Sequence, residues 1–178
     1  DERTIIIGDK AYKSFALDVL DDKLSQWNQR SELVKQAVES INDKIDIELF
    51  TLIETAVSTA PVADQDAGST ITMAGYQALT DEAAKGIALL KGIYALNTAF
   101  NVKRVPMMDR VFVTSAENYA NLVLAKDTVN QDFNETANGG LDTGKVFKIA
   151  GVSIIWSNNL PATANLEGLL FTPSAVGY

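Results

Sequence analysis

Residues 110–126 read RVFVTSAENYANLVLAK, and they decide the fold class. Arg110–Thr114 forms a short, continuously apolar run of strand length, rich in β-branched and aromatic side chains. Ser115 follows it as a good N-cap, because a serine hydroxyl can accept from a first-turn N–H that has no partner within the helix. The helix it opens is expected to run through Lys126 and to bury Tyr119, Leu122 and Val123. A strand leading straight into a capped helix implies helices layered on a sheet. Further on, Lys145–Ile149 and Val152–Trp156 flank Ala150-Gly151 as a two-residue hairpin. Asn158-Asn159-Leu160-Pro161 closes that unit, and Leu169–Thr172 supplies a last strand. The fold class is α+β.

Upstream, apolar or small residues fall at Leu24, Trp27, Ser31, Val34, Val38, Ile41, Ile45, Leu49 and Leu52, with spacings of three and four. That is the helical period. Asp21 or Asp22 suits the helix start. A helix over about 23–57 would be roughly 50 Å long, far beyond the ordinary globular length. Its other face carries Lys35, Glu39, Asp43, Lys44, Asp46 and Glu48. A coiled coil and a spine laid across a sheet both fit. The broken heptad near Ile45–Leu49 and the later strands favour the spine.

Residues 4–20 read as two extended pieces around Gly8-Asp9, more arm than core strand. Residues 58–79 are small and polar, with Pro61, Gly68 and Gly75, and read as a mobile loop or connector. A second helix follows, with Thr80 as N-cap, Asp81 and Glu82 in its first turn, and an apolar face of Ile87, Leu90, Tyr94 and Leu96. It should end near Asn101. Gly86 and Gly92 weaken it, so close packing is expected to call for them. Val105-Pro106 leads into the strand, and 127–144 forms a second polar loop. No internal repeat is present.

Composition narrows the function. The 178 residues suit one domain or two small ones, and 47% are hydrophobic and 21% charged, an ordinary globular mixture. No apolar run approaches the roughly 20 residues a membrane helix needs. The net charge of −8 argues against a duplex-binding protein, though not against a container for nucleic acid. There is no Cys and no His. That removes disulfides, Cys-type zinc sites, and Ser-His-Asp or Cys-His machinery within these residues. The chain starts at Asp1 without Met and ends with no terminating signal at Gly168–Tyr178, so it reads as truncated at both ends.

Four motifs remain. Gly139–Lys145 fits the phosphate-loop spacing, but Val146 stands where a magnesium-binding Ser or Thr is needed, and a strand follows instead of a helix. A flexible loop is the better reading. The carboxylate groups Asp18, Asp21 and Asp22, then Asp43, Asp46 and Glu48, then Asp64 and Asp66, lie on a helix's polar face or in a loop, and read as solvated surface. Asn134-Glu135-Thr136 is an incidental sequon. Trp27 and Trp156 lie on apolar faces and read as core or interface packing in preference to ligand platforms.

The string RVPMMDRVFVTSAENYANLVLAKD over 104–127, followed after a polar loop by GKVFKIAGVSIIWSNNLP over 144–161, resembles the major capsid (coat) proteins of tailed bacteriophages. The matching positions are Arg110, Val113, Ser115, Tyr119, Gly144, Lys145, Val146, Ile149, Gly151, Val152, Ser157, Asn158, Asn159, Leu160 and Pro161. Val152 departs from the family's usual aromatic. Asp9, Lys10, Tyr12 and Phe15 echo an upstream family pattern, and FTPSAVGY over 171–178 resembles its ending.

The resemblance implies the Hong Kong 97-like capsid fold. Residues 1–57 would hold the end of the E-loop and a long spine helix (about 23–57) of the P-domain. Residues 58–161 would be a mixed α/β A-domain, and 162–178 the return strand to the P-domain. It implies a structural protein and no enzyme, with no catalytic residues, cofactor or metal. The subunit would self-assemble into pentamers and hexamers of an icosahedral head enclosing double-stranded DNA, without sequence-specific contacts. Scaffolding and portal proteins would be further partners, no membrane would be involved, and the virion, assembled in the host cytoplasm, would be its place. Gly139-Gly140 would matter for particle closure more than for the monomer fold. An encapsulin-type compartment and a carboxylate-dependent hydrolase are the alternatives.

Overall fold

A computed structural model describes residues 12–14, 29–58, 68–125, 148–163 and 165–175. Helix α1 spans Gln29–Ser58, α2 Glu82–Val102 and α3 Ala116–Leu124. The strands are β1 Val111–Thr114, β2 Lys148–Ile149, β3 Val152–Trp156 and β4 Gly168–Phe171, with single 3-10 turns at Tyr76–Ala78 and Pro173–Ala175. The chain divides into two compact units, residues 1–48 and 49–178. This division falls inside the long helix, whereas the sequence reading placed a boundary at its end.

In the first unit, Lys13 Nζ donates to Ser40 Oγ at 2.6 Å, and the Ser40 hydroxyl donates to the Gln36 carbonyl one turn back. Lys44 and Glu48 form an exposed i,i+4 pair at 3.5 Å. The remainder of the expected arm over 4–20, and the expected helix start at 23–28, lie outside the described residues.

The second unit is a mixed sheet in the order β2-β3-β1-β4. β1 runs parallel to β3 (Phe112 opposite Ile154) and antiparallel to β4 (Val113 opposite Leu169). The parallel pairing follows from connectivity, since α3 and the long segment after it carry the chain from β1 to β3. β2 and β3 form the expected hairpin, with Ile149 opposite Val152. Ala150 and Gly151 sit at φ 50° and 80°, the two left-handed positions of a type I′ turn. β4 lies in this same sheet, hydrogen-bonded to β1 and not set apart from residues 58–161.

The alternating side chains of β1 divide the core in two. On one face Phe112, Ile149, Val152 and Ile154 pack with Leu89 and Ile93 of α2, Leu122 of α3, and Tyr76. On the other, Val113 and Leu169 meet Phe50 and Ile53 from the end of α1, with Phe50 edge-on to Phe171 at 6.5 Å. The sheet thus carries helix on both faces.

Three expectations needed revision. The spine helix exists, but Val34, Val38, Ile45 and Leu52 of its apolar stripe are exposed, and the sheet-facing residues are Phe50 and Ile53. The N-cap of α2 is Asp81, whose side chain accepts from Ala84 N, one residue later than expected. Its buried line is Gly86, Leu89, Ile93 and Asn97, while Tyr94 is exposed. Both glycines do permit close approach: a Cβ on Gly86 would lie 2.0 Å from the Asn121 carbonyl oxygen of α3, and one on Gly92 would lie 2.9 Å from Met73 Sδ.

Candidate functional site

Ser115 caps α3 as its sequence requires, accepting from Asn118 N at 3.2 Å. That cap fixes the register of α3 and turns Asn118 inward, where it is buried. Asn118 then joins three segments. Its Oδ1 accepts from the Tyr76 hydroxyl at 2.8 Å, and its Nδ2 donates to Glu167 Oε2 at 2.6 Å. Gln77 Nε2 donates to the other Glu167 carboxylate oxygen, and the Glu167 carbonyl accepts from Thr114 Oγ1 at 2.7 Å. Tyr76 is buried, so its hydroxyl is pushed up from 10.0 to about 12, first by desolvation and then by the nearby Glu167 charge. The Asn121 side chain opposes the shift, and the Glu117 charge adds to it. The described part of the expected mobile loop is therefore pinned to the sheet by one aromatic side chain.

Arg110 is the second anchor. It is 1% exposed and is the largest fully buried side chain among the described residues. Nε donates to the Pro106 carbonyl at 2.9 Å, and Nη2 to that of Val105. Nη1 donates to Asn101 Oδ1 at 2.8 Å and to Asn97 Oδ1. The guanidinium also lies 5.4 Å from the centre of the Phe100 ring. Every one of these oxygen partners is neutral, so the charge is held by converging dipoles. Asn97 Nδ2 reaches on to the Ala150 carbonyl at 3.1 Å, tying α2 to the hairpin turn. The effect is to fix the corner over 103–110, on which Met107 and Met108 stand 61% and 79% exposed, next to Val102, 77% exposed at the end of α2.

An open apolar groove of about 520 Å³ runs beside α2, between Ile71–Ala74 and the helix face bearing Ile87, Ala88 and Ala95. Among the described residues, Lys91 is the only charged one lining it. Among the described residues, no group of three or more His, Cys, Asp or Glu side chains could hold a metal ion. No described helix is long and apolar enough to cross a membrane.

Of the carboxylates weighed in the sequence, Asp43, Asp46 and Glu48 lie on α1 and do not line the groove. Asp18, Asp21, Asp22, Asp64 and Asp66 lie outside the described residues, as do Gly139–Lys145, Gly139-Gly140, Asn134 and Trp27. Trp156, expected in core or interface packing, is 54% exposed at the end of β3 and so lies outside the core. Sequence reasoning missed the anchoring roles of Tyr76, Asn118 and Glu167. A lone aromatic in a small, polar stretch was the available signal for Tyr76.

A family model described as "Gp10A-like: Major capsid protein" matches residues 1–175. Among solved structures, the capsid of the cyanophage P-SCSP1u is similar with a TM-score of 0.67 at 24% identity, over 88% of this chain and 54% of that one. The mature capsid of bacteriophage PhiM1 is similar with a TM-score of 0.62 at 18% identity, over 88% of this chain and 48% of that one. The chain spans about half the length of these solved chains, and the likeness establishes the fold. No curated protein sequence matches.

Proposed function

Because the chain belongs to the Gp10A-like family of major capsid proteins, we propose that it builds pentamers and hexamers of an icosahedral phage head enclosing double-stranded DNA. The match over 1–175 is the observation that carries this reading. In it, residues 1–57 are the end of an E-loop and the P-domain spine of a Hong Kong 97-like fold. Residues 58–161 are the A-domain, and 162–178 return towards the P-domain after contributing β4 to the A-domain sheet. The physical features agree. Shell contacts repeat many times, so each can be weak and still close a particle. A rigid sandwich with apolar side chains left exposed at a fixed corner suits such contacts. A net charge of −8 suits a wall that holds DNA without reading or gripping it. Scaffolding and portal proteins, and assembly in the host cytoplasm, complete the proposal.

Electron microscopy of the full-length protein tests it. Shells or capsomers are expected; a monomer at high concentration overturns the reading. Double-stranded DNA in particles from the native source is expected, whereas particles that never hold nucleic acid point to a cellular compartment. The Gly139-Gly140 loop is assigned to particle closure, so Gly140→Pro should fold normally and give few or aberrant particles. Normal particles from Gly140→Pro would end that assignment.

A further inference from the structure

The corner after α2 is an apolar knob on a rigid mount. Met107 and Met108 are unbranched and polarizable, and such side chains adapt to irregular apolar surfaces. Arg110 holds their backbone through Pro106 and Val105, so little conformational freedom is left to lose when the knob is covered. Asp109 follows at φ 60° and is exposed. Lys103 is the C-cap of α2 and Arg104 follows it at φ 57°, where positive charge offsets the helix dipole.

The groove beside α2 is the complementary surface. It is apolar, has room for both methionine side chains at about 520 Å³, and carries Lys91 as its single charge among the described residues. Among the described ion pairs, neither Lys91 nor Asp109 takes part. Within one chain, Val102 lies seven residues beyond Ala95, the nearest groove residue of α2, or roughly 10 Å along a straight helix, and Arg110 fixes the corner bearing Met107 and Met108 beyond that end.

We infer that the Val102–Met107–Met108 knob of one copy seats in the α2 groove of a second copy, with Asp109 beside Lys91. This rests on the coat-subunit reading. The contact joins unlike patches, so it is heterologous, and repeating it around an axis generates a ring. It names which part of the second unit each copy offers its neighbour.

Charge exchange in the full-length protein tests the contact. Lys91→Glu sets like charge against Asp109, and Met108→Lys sets like charge against Lys91. Each alone should lower the yield of sedimentable particles at least about tenfold. The double variant pairs the new charges and should yield more particles than either single variant, though fewer than the unsubstituted protein because the Met108 burial is lost. All the sites are exposed, so thermal unfolding of unassembled subunits should be unchanged. Normal assembly of either single variant overturns the inference while leaving the coat reading in place. So does a double variant no better than its worse parent, the result expected if some other protein occupies the groove. Absence of particles from the unsubstituted protein overturns the coat reading and this contact with it.

Discussion

Two buried polar side chains hold what the hydrophobic core alone would leave loose. Tyr76 is pushed up to about 12 by burial, so its folded form keeps the proton more tightly than the unfolded chain does. Its contribution is fully present below pH 10 and is lost as pH rises from 10 to 12, by roughly 2 kcal/mol in all. Other groups also titrate there, so the comparison with Tyr76→Phe isolates it. At pH 7 the variant should be less stable by about 1 kcal/mol, since Asn118 loses a hydrogen bond. That deficit should shrink or reverse by pH 12 in denaturant titrations. Arg110 poses a different problem, because a lysine ammonium cannot reproduce its fork. Arg110→Lys forfeits at least two charge-assisted bonds among those to Asn97, Asn101, Val105 and Pro106. It should cost roughly 3 kcal/mol, read as a fall in the chemical-denaturation midpoint. If Arg110→Lys melts like the parent, the corner over 103–110 is held by something else.

The elements show which sequence signals survive folding. The strand-cap-helix of 110–124 was legible because each of its signals is local: β-branched residues, then a serine hydroxyl, then helical spacing. The Ala150-Gly151 turn was legible for the same reason. The buried face of α2 was not, since the helix is apolar all round and its core line runs through Gly86 and Asn97, which no hydrophobicity pattern selects. Tyr76 was not, because its partners Asn118 and Glu167 are distant in sequence. The parallel β1–β3 pairing depends on tertiary connectivity and leaves no local trace. Close helix packing makes a prediction of its own. Gly86→Ala improves helix propensity by up to about 1 kcal/mol, but its Cβ would meet a backbone oxygen of α3 at 2.0 Å. The clash should win, with a net loss of about 1–3 kcal/mol in thermal or denaturant unfolding. The end of α2 makes the opposite one. Arg104 sits at φ 57°, and the bonds Val105 N to Phe100 O and Arg104 N to Asn101 O close a Schellman cap. Arg104→Gly should therefore stabilise by roughly 1 kcal/mol, and a destabilised variant would show that the Arg104 side chain matters more than its backbone.

At the scale of the whole molecule, the proposed assembly sets apolar burial against charge. Each copy brings 23 acidic and 15 basic residues within these 178, a net −8 from them, so these parts of neighbouring copies repel at low ionic strength. Against that stand the proposed apolar contact through the exposed Met107 and Met108, which salt does not screen, and the proposed Asp109–Lys91 pair, which it does. Magnitudes decide the sign. A partly exposed ion pair contributes about 0–1 kcal/mol, so losing it costs little. The repulsion acts between all neighbours at once and is screened within roughly 30 Å at 0.01 M salt and about 3 Å at 1 M. Raising sodium chloride over that range should lower the concentration at which full-length subunits assemble, as followed by light scattering. Assembly that weakens with salt would mean that ion pairs, and not apolar surface, hold the copies together, and would move the search for the interface from the Met107–Met108 corner to the charged face of α1.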